Sequence, residues 1–265
     1  MKVKNPNENL AIPEWVNAAY FEPIVAKDVS DYAKIKSCAP IAAIAPGENF
    51  TSVMIRVHIQ LEMKDGSWKH KSYILKTMLD DDKGGEMINK LSLFPKELQM
   101  YQKYLPAFEK LYENAGEKLQ LSAKCLFIEQ KDSRINLVFE DLSCQPRSFR
   151  NIDRLQGFNM DAMTHTMRKL AEFHAASAVY EEQNGAYPKE FLSGFIDPEM
   201  GLEFQKMTYD NKQKDFVEAI PQWQLEEGKK YAEKFVSILK NFLSVDFLLL
   251  YVRNSRLSSS TGSVV

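Results

Sequence analysis

Val53-Met54-Ile55-Arg56-Val57-His58-Ile59-Gln60-Leu61 is the stretch on which the fold turns. Val53, Ile55, Val57, Ile59 and Leu61 alternate with Met54, Arg56, His58 and Gln60. Successive side chains of a strand point to opposite faces, so this alternation predicts a strand with one buried face. Lys64-Asp65-Gly66-Ser67 follows as a turn, where Gly66 can take a positive φ without a Cβ clash. Tyr73-Ile74-Leu75-Lys76-Thr77 then returns as the second strand of a hairpin.

Working outward, Pro95-Lys96-Glu97-Leu98 opens a helical pattern in which Leu98, Tyr101 and Leu105 recur about one turn apart. Ala123–Glu129 and Ile135–Glu140 predict another strand pair around the polar turn Gln130–Arg134. Upstream, Pro13-Glu14-Trp15 predicts the start of a short helix, because proline is pre-set for a first helical turn. After Leu142 the character changes. Met160 to Glu182 carries Met163, Met167, Leu170 and Ala171 at helical spacing, read as a core-facing stripe, and Asn184-Gly185 stops it. Phe216 to Leu243 is expected to be largely helical as well.

The chain has 265 residues, 45% apolar and 26% charged, enough to bury a core and unlike a disordered, collagenous or disulfide-stapled sequence. Thirty-four Lys and Arg against 36 Asp and Glu leave a net charge of −2, with no basic stripe of the kind nucleic-acid binding needs. Cys38, Cys125 and Cys144 are widely spaced and only four histidines accompany them, which argues against a zinc site or disulfide framework. Met1 to Asn9 lacks the apolar core of a signal peptide. The longest unbroken apolar run in the apolar stretch near the end, Phe247–Val252, falls far short of the ~20 residues a membrane helix needs. A soluble, cytoplasmic protein with no membrane span is expected.

Four features fit together as a site. Ala45-Pro46-Gly47-Glu48-Asn49-Phe50-Thr51 precedes the long strand, and backbone amides in such a glycine turn can point at phosphate oxygens. Lys76 lies on the return strand, where its ammonium can sit over phosphates if a carboxylate holds it. Glu97, on the first turn of the next helix, supplies that carboxylate, an order shared with phosphotransferases of the protein-kinase fold. Leu137-Val138-Phe139-Glu140-Asp141-Leu142 is an apolar strand ending in two acids, where a two-lobed kinase crosses between lobes. His174 reads as a packed, hydrogen-bonded helix residue, since it lies nine positions after His165 and forms no one-face metal pair.

Pro46 to Met54, Ile74 to Thr77, Phe94 to Tyr101, Val138 to Leu142 and Leu170 to Ser177 occur in an order that resembles the ecdysteroid kinase-like family. This is a branch of the choline kinase and aminoglycoside phosphotransferase group, also called CHK kinase-like. The resemblance implies an α+β, two-lobed protein-kinase-like fold: residues 1–142 as a complete β-rich nucleotide lobe with hinge, 143–246 as an incomplete helical lobe, and 247–265 as an atypical apolar then Ser-rich tail. It implies that Gly47, Glu48, Asn49 and Phe50 cover phosphates and Lys76 contacts them. Glu97 then orients Lys76, and Glu140, Asp141 and Leu142 form the hinge near adenine. ATP with Mg²⁺ and a small hydroxylated acceptor, such as a steroid or an amino alcohol, are implied in the same way.

The catalytic run of that family, H-G-D-x-W-x-x-N followed later by D-F-Q, does not occur in this sequence. No catalytic or metal-ligating residue is therefore assigned. General-base assistance is worth roughly 10²–10⁴ in rate, and metal ligands add several kcal/mol of charge stabilisation. The expectation is nucleotide binding with little or no turnover, in a chain that ends like a truncated isoform or a mispredicted gene end. Phe247 to Val252 is β-prone and uncharged, so a protein partner covering the helical lobe, or poor solubility, is expected. The alternative is a non-catalytic, pseudokinase-like binding or interaction module.

Overall fold

In a computed structural model the described residues are 10–44, 49, 51–80, 89, 92–131, 134–144, 149, 152–153 and 156–192, with 215, 218, 219, 230, 231, 234 and 237 beyond them. The chain is α+β. Strands β1 (Tyr32–Ala42), β2 (Val53–Met63), β3 (Trp68–Thr77), β4 (Cys125–Lys131) and β5 (Arg134–Glu140) form one antiparallel sheet in the order β1-β2-β3-β5-β4. Contacts gather into two units, Met1–Ala186, which holds the sheet, and Tyr187–Val265.

The decisive alternation holds. Ile55, Val57, Ile59 and Leu61 are buried on one face of β2, while His58 between them is exposed. Gly66 closes the β2–β3 turn at φ 80°, and Asp65 accepts from Ser67 N at 2.9 Å. In β3, Tyr73 and Leu75 continue the same buried face. That face is covered by α1 (Ala18–Asp28), which contributes Phe21, Ile24 and Val25. Burying each such side chain is worth about 1.5–3 kcal/mol, so this layer is the main source of the unit's stability.

Both α1 and β1 escape the sequence reading, and the predicted helix at Pro13-Glu14-Trp15 is corrected. Those residues form only a turn, Val16 N bonding Pro13 O at 2.9 Å. The helix starts at Ala18, where the Asn17 side chain caps Tyr20 N at 3.2 Å. Pro23 inside α1 removes one helical N–H. β1 shows no period-two pattern because two register irregularities, between Tyr32 and Lys34 and between Ile35 and Ser37, switch its faces. It is an edge strand, which tolerates Lys34, Lys36 and Pro40.

The opposite face of the sheet carries a second cluster. There α2 (Leu93–Gln99) packs Phe94 and Leu98 against Ile135, Leu137 and Phe139 of β5. Pro95 falls in its first turn, where its missing N–H would have had no helical partner. The helix runs on through a π-helical turn, Met100–Tyr104, into α3 (Leu105–Asn114).

Helix α4 (Met160–Asn184) matches the predicted span, with Asn159 capping Ala162 N at 2.8 Å and Gly185 ending it at φ 84°. Its packed face is not the expected one. Phe173 and Tyr180 meet Phe108 of α3 edge-on at 5.5 and 5.7 Å, and only Ala176 is buried. Met163, Met167 and Leu170 stay exposed, as does His174, so the core-stripe and packed-histidine expectations are both corrected. The α3 aromatics select the helix face, and the sequence of α4 alone does not contain them. In the second unit α5 (Lys189–Leu192) is a short helix. Positions 218, 219, 230, 231, 234 and 237 are helical, and the rest of Phe216–Leu243 lies outside the described residues, as does the Phe247–Val252 run.

Candidate functional site

Lys76 occupies the centre of the sheet, opposite Met54 of β2 on one side and Leu137 of β5 on the other. Strand alternation turns it away from Leu75 and toward the face that α2 covers. Glu97 reaches it from the first turns of α2. Lys76 Nζ donates to Glu97 Oε1 at 2.7 Å and to Oε2 at 2.6 Å, so one ammonium engages both carboxylate oxygens. The two side chains are 22% and 24% exposed, half-shielded rather than solvated. The Phe94 ring lies 5.5 Å from the same ammonium and adds a cation–π contact. Twenty-one positions apart in sequence, the two groups meet because α2 packs across β5.

Tyr101, one turn beyond Glu97, packs its ring against Phe139 at 4.8 Å with the planes tilted by 56°. Burial first, then the Glu97 charge and Cys125, push its phenol up to about 12. Cys125 is likewise pushed up to about 11, by burial first and by Glu97 against a lowering bond to Phe127. A recess of about 470 Å³ opens behind this helix between Tyr101, Leu105, Glu109, Lys124 and Glu140.

The β1–β2 connection reaches the sheet at Val53, one residue before Met54. Asn49 is described there: it donates to Ser52 Oγ at 2.7 Å and accepts from Thr51 N at 3.1 Å, closing the turn into β2. Gly47, Glu48 and Phe50 lie outside the described residues.

At the end of β5 the chain enters a 3₁₀ turn, Leu142–Cys144. Glu140 accepts from Lys124 N at 2.8 Å and Gln120 Nε2 at 3.1 Å, tying the strand end to the segment before β4. Asp141 is buried, its side chain 2% exposed. Its Oδ2 accepts from Arg56 Nε at 2.7 Å and Ser72 Oγ at 2.6 Å, and its Oδ1 from Ser143 N at 3.1 Å and Oγ at 2.7 Å. Burial alone would raise this carboxyl, but the bonds from Ser72, Ser143 and Arg56 outweigh it and hold it well below the usual range. Its side chain is thus committed within the protein. Arg56, Ser72 and Ser143 were not among the sequence candidates. The one sequence signal was an arginine on the outward face of β2, a face otherwise uninformative.

A family model described as the ecdysteroid kinase-like family matches residues 46–252, from the loop before β2 onward. The chain belongs to the ecdysteroid kinase-like family. No curated protein and no solved structure matches it. Membership makes this a kinase-like phosphotransferase chain, and the five-stranded sheet is the β-rich N-lobe of that fold.

The kinase-like family implies nucleotide and metal, and the two fit this chain differently. A shielded lysine clamped by a carboxylate suits phosphate oxygens. For the metal, among the described residues no three His, Cys, Asp or Glu side chains group to hold an ion. The described residues thus supply no cluster that would hold a metal by protein side chains alone, whereas Mg²⁺ at a nucleotide is commonly held by one or two carboxylates with phosphate oxygens and water. Among the same residues no helix is long and apolar enough to cross a membrane.

Proposed function

We propose that this ecdysteroid kinase-like chain binds ATP between the loop before β2, Lys76 and the segment Glu140–Leu142. The observation that carries the reading is the bidentate, half-shielded Lys76–Glu97 pair at the centre of the sheet. Two solvated surface charges would not hold this geometry, because exposed pairs gain only about 0–1 kcal/mol and rotate freely. In this reading Lys76 neutralises phosphate charge, Glu97 keeps it aimed, and the backbone at Glu140, Asp141 and Leu142 faces the adenine edge. Gly47 to Phe50 cover the phosphates. Residues 1–142 form the nucleotide lobe, and the helical segment after it begins the acceptor lobe. The acceptor is a small hydroxylated molecule, and the setting is the reducing cytoplasm, which suits Cys38, Cys125 and Cys144 as free thiols.

The sequence holds no H-G-D-x-W-x-x-N run, and this favours a second reading in which the 265-residue chain binds nucleotide with little turnover, as a pseudokinase-like module. Thermal unfolding with ATP tests the common element. Ligand at 100 times Kd stabilises by about 2.7 kcal/mol, so the wild type should show a clear upward shift that Lys76→Ala abolishes. No shift in the wild type refutes nucleotide binding. ATP-dependent phosphorylation of a steroid or choline analogue by the purified chain refutes the low-turnover reading.

A further inference from the structure

The two oxygens of Asp141 do separate jobs. Oδ1 binds Ser143 N and Oγ and so fixes the turn that follows β5. Oδ2 binds Arg56 of β2 and Ser72 of β3 and so fixes that turn to the sheet. One side chain joins the chain leaving the sheet to β3, the strand beside β5, and to β2, the strand beyond β3. We propose that Asp141, with Arg56 and Ser72, sets nucleobase selectivity by holding the backbone after β5 at a fixed place relative to Lys76.

A buried carboxylate is costly unless every lone-pair direction is used, and here four N–H and O–H donors from three elements, with the Cys144 thiol at 3.6 Å as a weaker fifth, use them. Ending a strand requires no such group. The arrangement does give rigidity between two points on one strand, since Ser72 and Lys76 are both on β3, about 13 Å apart at the rise of an extended chain. Bonds aimed by backbone groups discriminate only when placed to within about 0.5 Å. Adenine presents an amino donor where guanine presents a carbonyl acceptor, so a fixed backbone group accepts one and repels the other. A backbone free to shift accommodates both. Arg56 and Ser72 touch no base in this scheme; they act as positioning residues through Asp141.

This inference rests on the nucleotide reading above, and the experiment separates the two. Calorimetric titration of the full chain with ATP, GTP and tripolyphosphate gives three affinities. The wild type should prefer ATP to both other probes. Asp141→Asn and Ser72→Ala should each weaken ATP relative to GTP by roughly tenfold, the worth of one charge-assisted hydrogen bond, with tripolyphosphate affinity unchanged. Lys76→Ala should weaken all three. Should Asp141→Asn fail to fold, Ser72→Ala, which removes one half-exposed hydroxyl, decides the matter. An unchanged ATP-to-GTP ratio in folded Ser72→Ala overturns the proposal, as does an equal loss of all three probes, the mark of a merely structural role. A wild type that binds tripolyphosphate but does not distinguish ATP from GTP overturns it while leaving the Lys76 site standing. A wild type that binds none of the three overturns the nucleotide reading itself.

Discussion

A double-mutant cycle on Lys76 and Glu97 measures whether this pair is a clamp or two surface charges. At about 4 Å and an effective dielectric of 20, opposite unit charges attract by about 4 kcal/mol. Desolvation of both groups opposes this, and the structure sets how far. Fully exposed pairs net about 0–1 kcal/mol, whereas breaking a fully buried one costs about 3–5 kcal/mol. With side chains 22% and 24% exposed and two bonds at 2.6 and 2.7 Å, the pair lies between those limits. Lys76→Met and Glu97→Gln should each cost about 2 kcal/mol, since each strands a shielded charge. The double variant should recover about 1.5 kcal/mol of their sum. Urea unfolding followed by circular dichroism gives all four stabilities, provided the denaturant slope stays constant across the set. The coupling should persist in 0.5 M salt, because screening acts mainly on exposed charges. Additivity within about 0.5 kcal/mol would refute the clamp, and with it the reason for placing phosphate chemistry at Lys76.

Three further outcomes are expected. Leu75→Ala, at a position with no exposed surface in the α1-covered core, should lower stability by about 2–5 kcal/mol in the same urea assay; a loss below 1 kcal/mol would mean that this layer is not the core. Acid titration should weaken the fold. Asp141 and Asp28 titrate below their unfolded values, Asp28 because bonds from Lys71 and Tyr73 outweigh its burial. Their contribution is thus complete above the unfolded pKa of about 4 and is lost as pH falls below it; Asp141→Asn should flatten stability against pH between about 5 and 2, and an unchanged slope contradicts this. Iodoacetamide at pH 7.5 should label exposed Cys144 before Cys38 and Cys125, both shielded and pushed up by burial; peptide mass spectrometry showing Cys125 labelled first would refute that order.

Period-two alternation found β2, whose faces differ in chemistry along an unbroken register, and the turn after it located the returning β3. Alternation failed on β1, whose bulged edge presents no constant face. Helix spacing found α4 yet named the wrong side of it, because Phe108, Tyr104 and Phe173 rather than the methionines settle where that helix rests. The π-helical turn between α2 and α3 is silent in the sequence, since local residue preferences barely distinguish it from ordinary helix.

The site divides along the same line. Order along the chain was enough to nominate a glycine turn, a strand lysine, a helix glutamate and an acidic strand end, because each is a local pattern with its own chemistry. Whether Lys76 meets Glu97 depends on how α2 lies across β5, a matter of side-chain packing between segments far apart in sequence. The role of Asp141 is further from the sequence still. An acid at the end of a strand resembles any solvated charge until the fold closes Arg56, Ser72 and Ser143 around it, since a hydrogen bond depends on distances that the one-dimensional order does not contain.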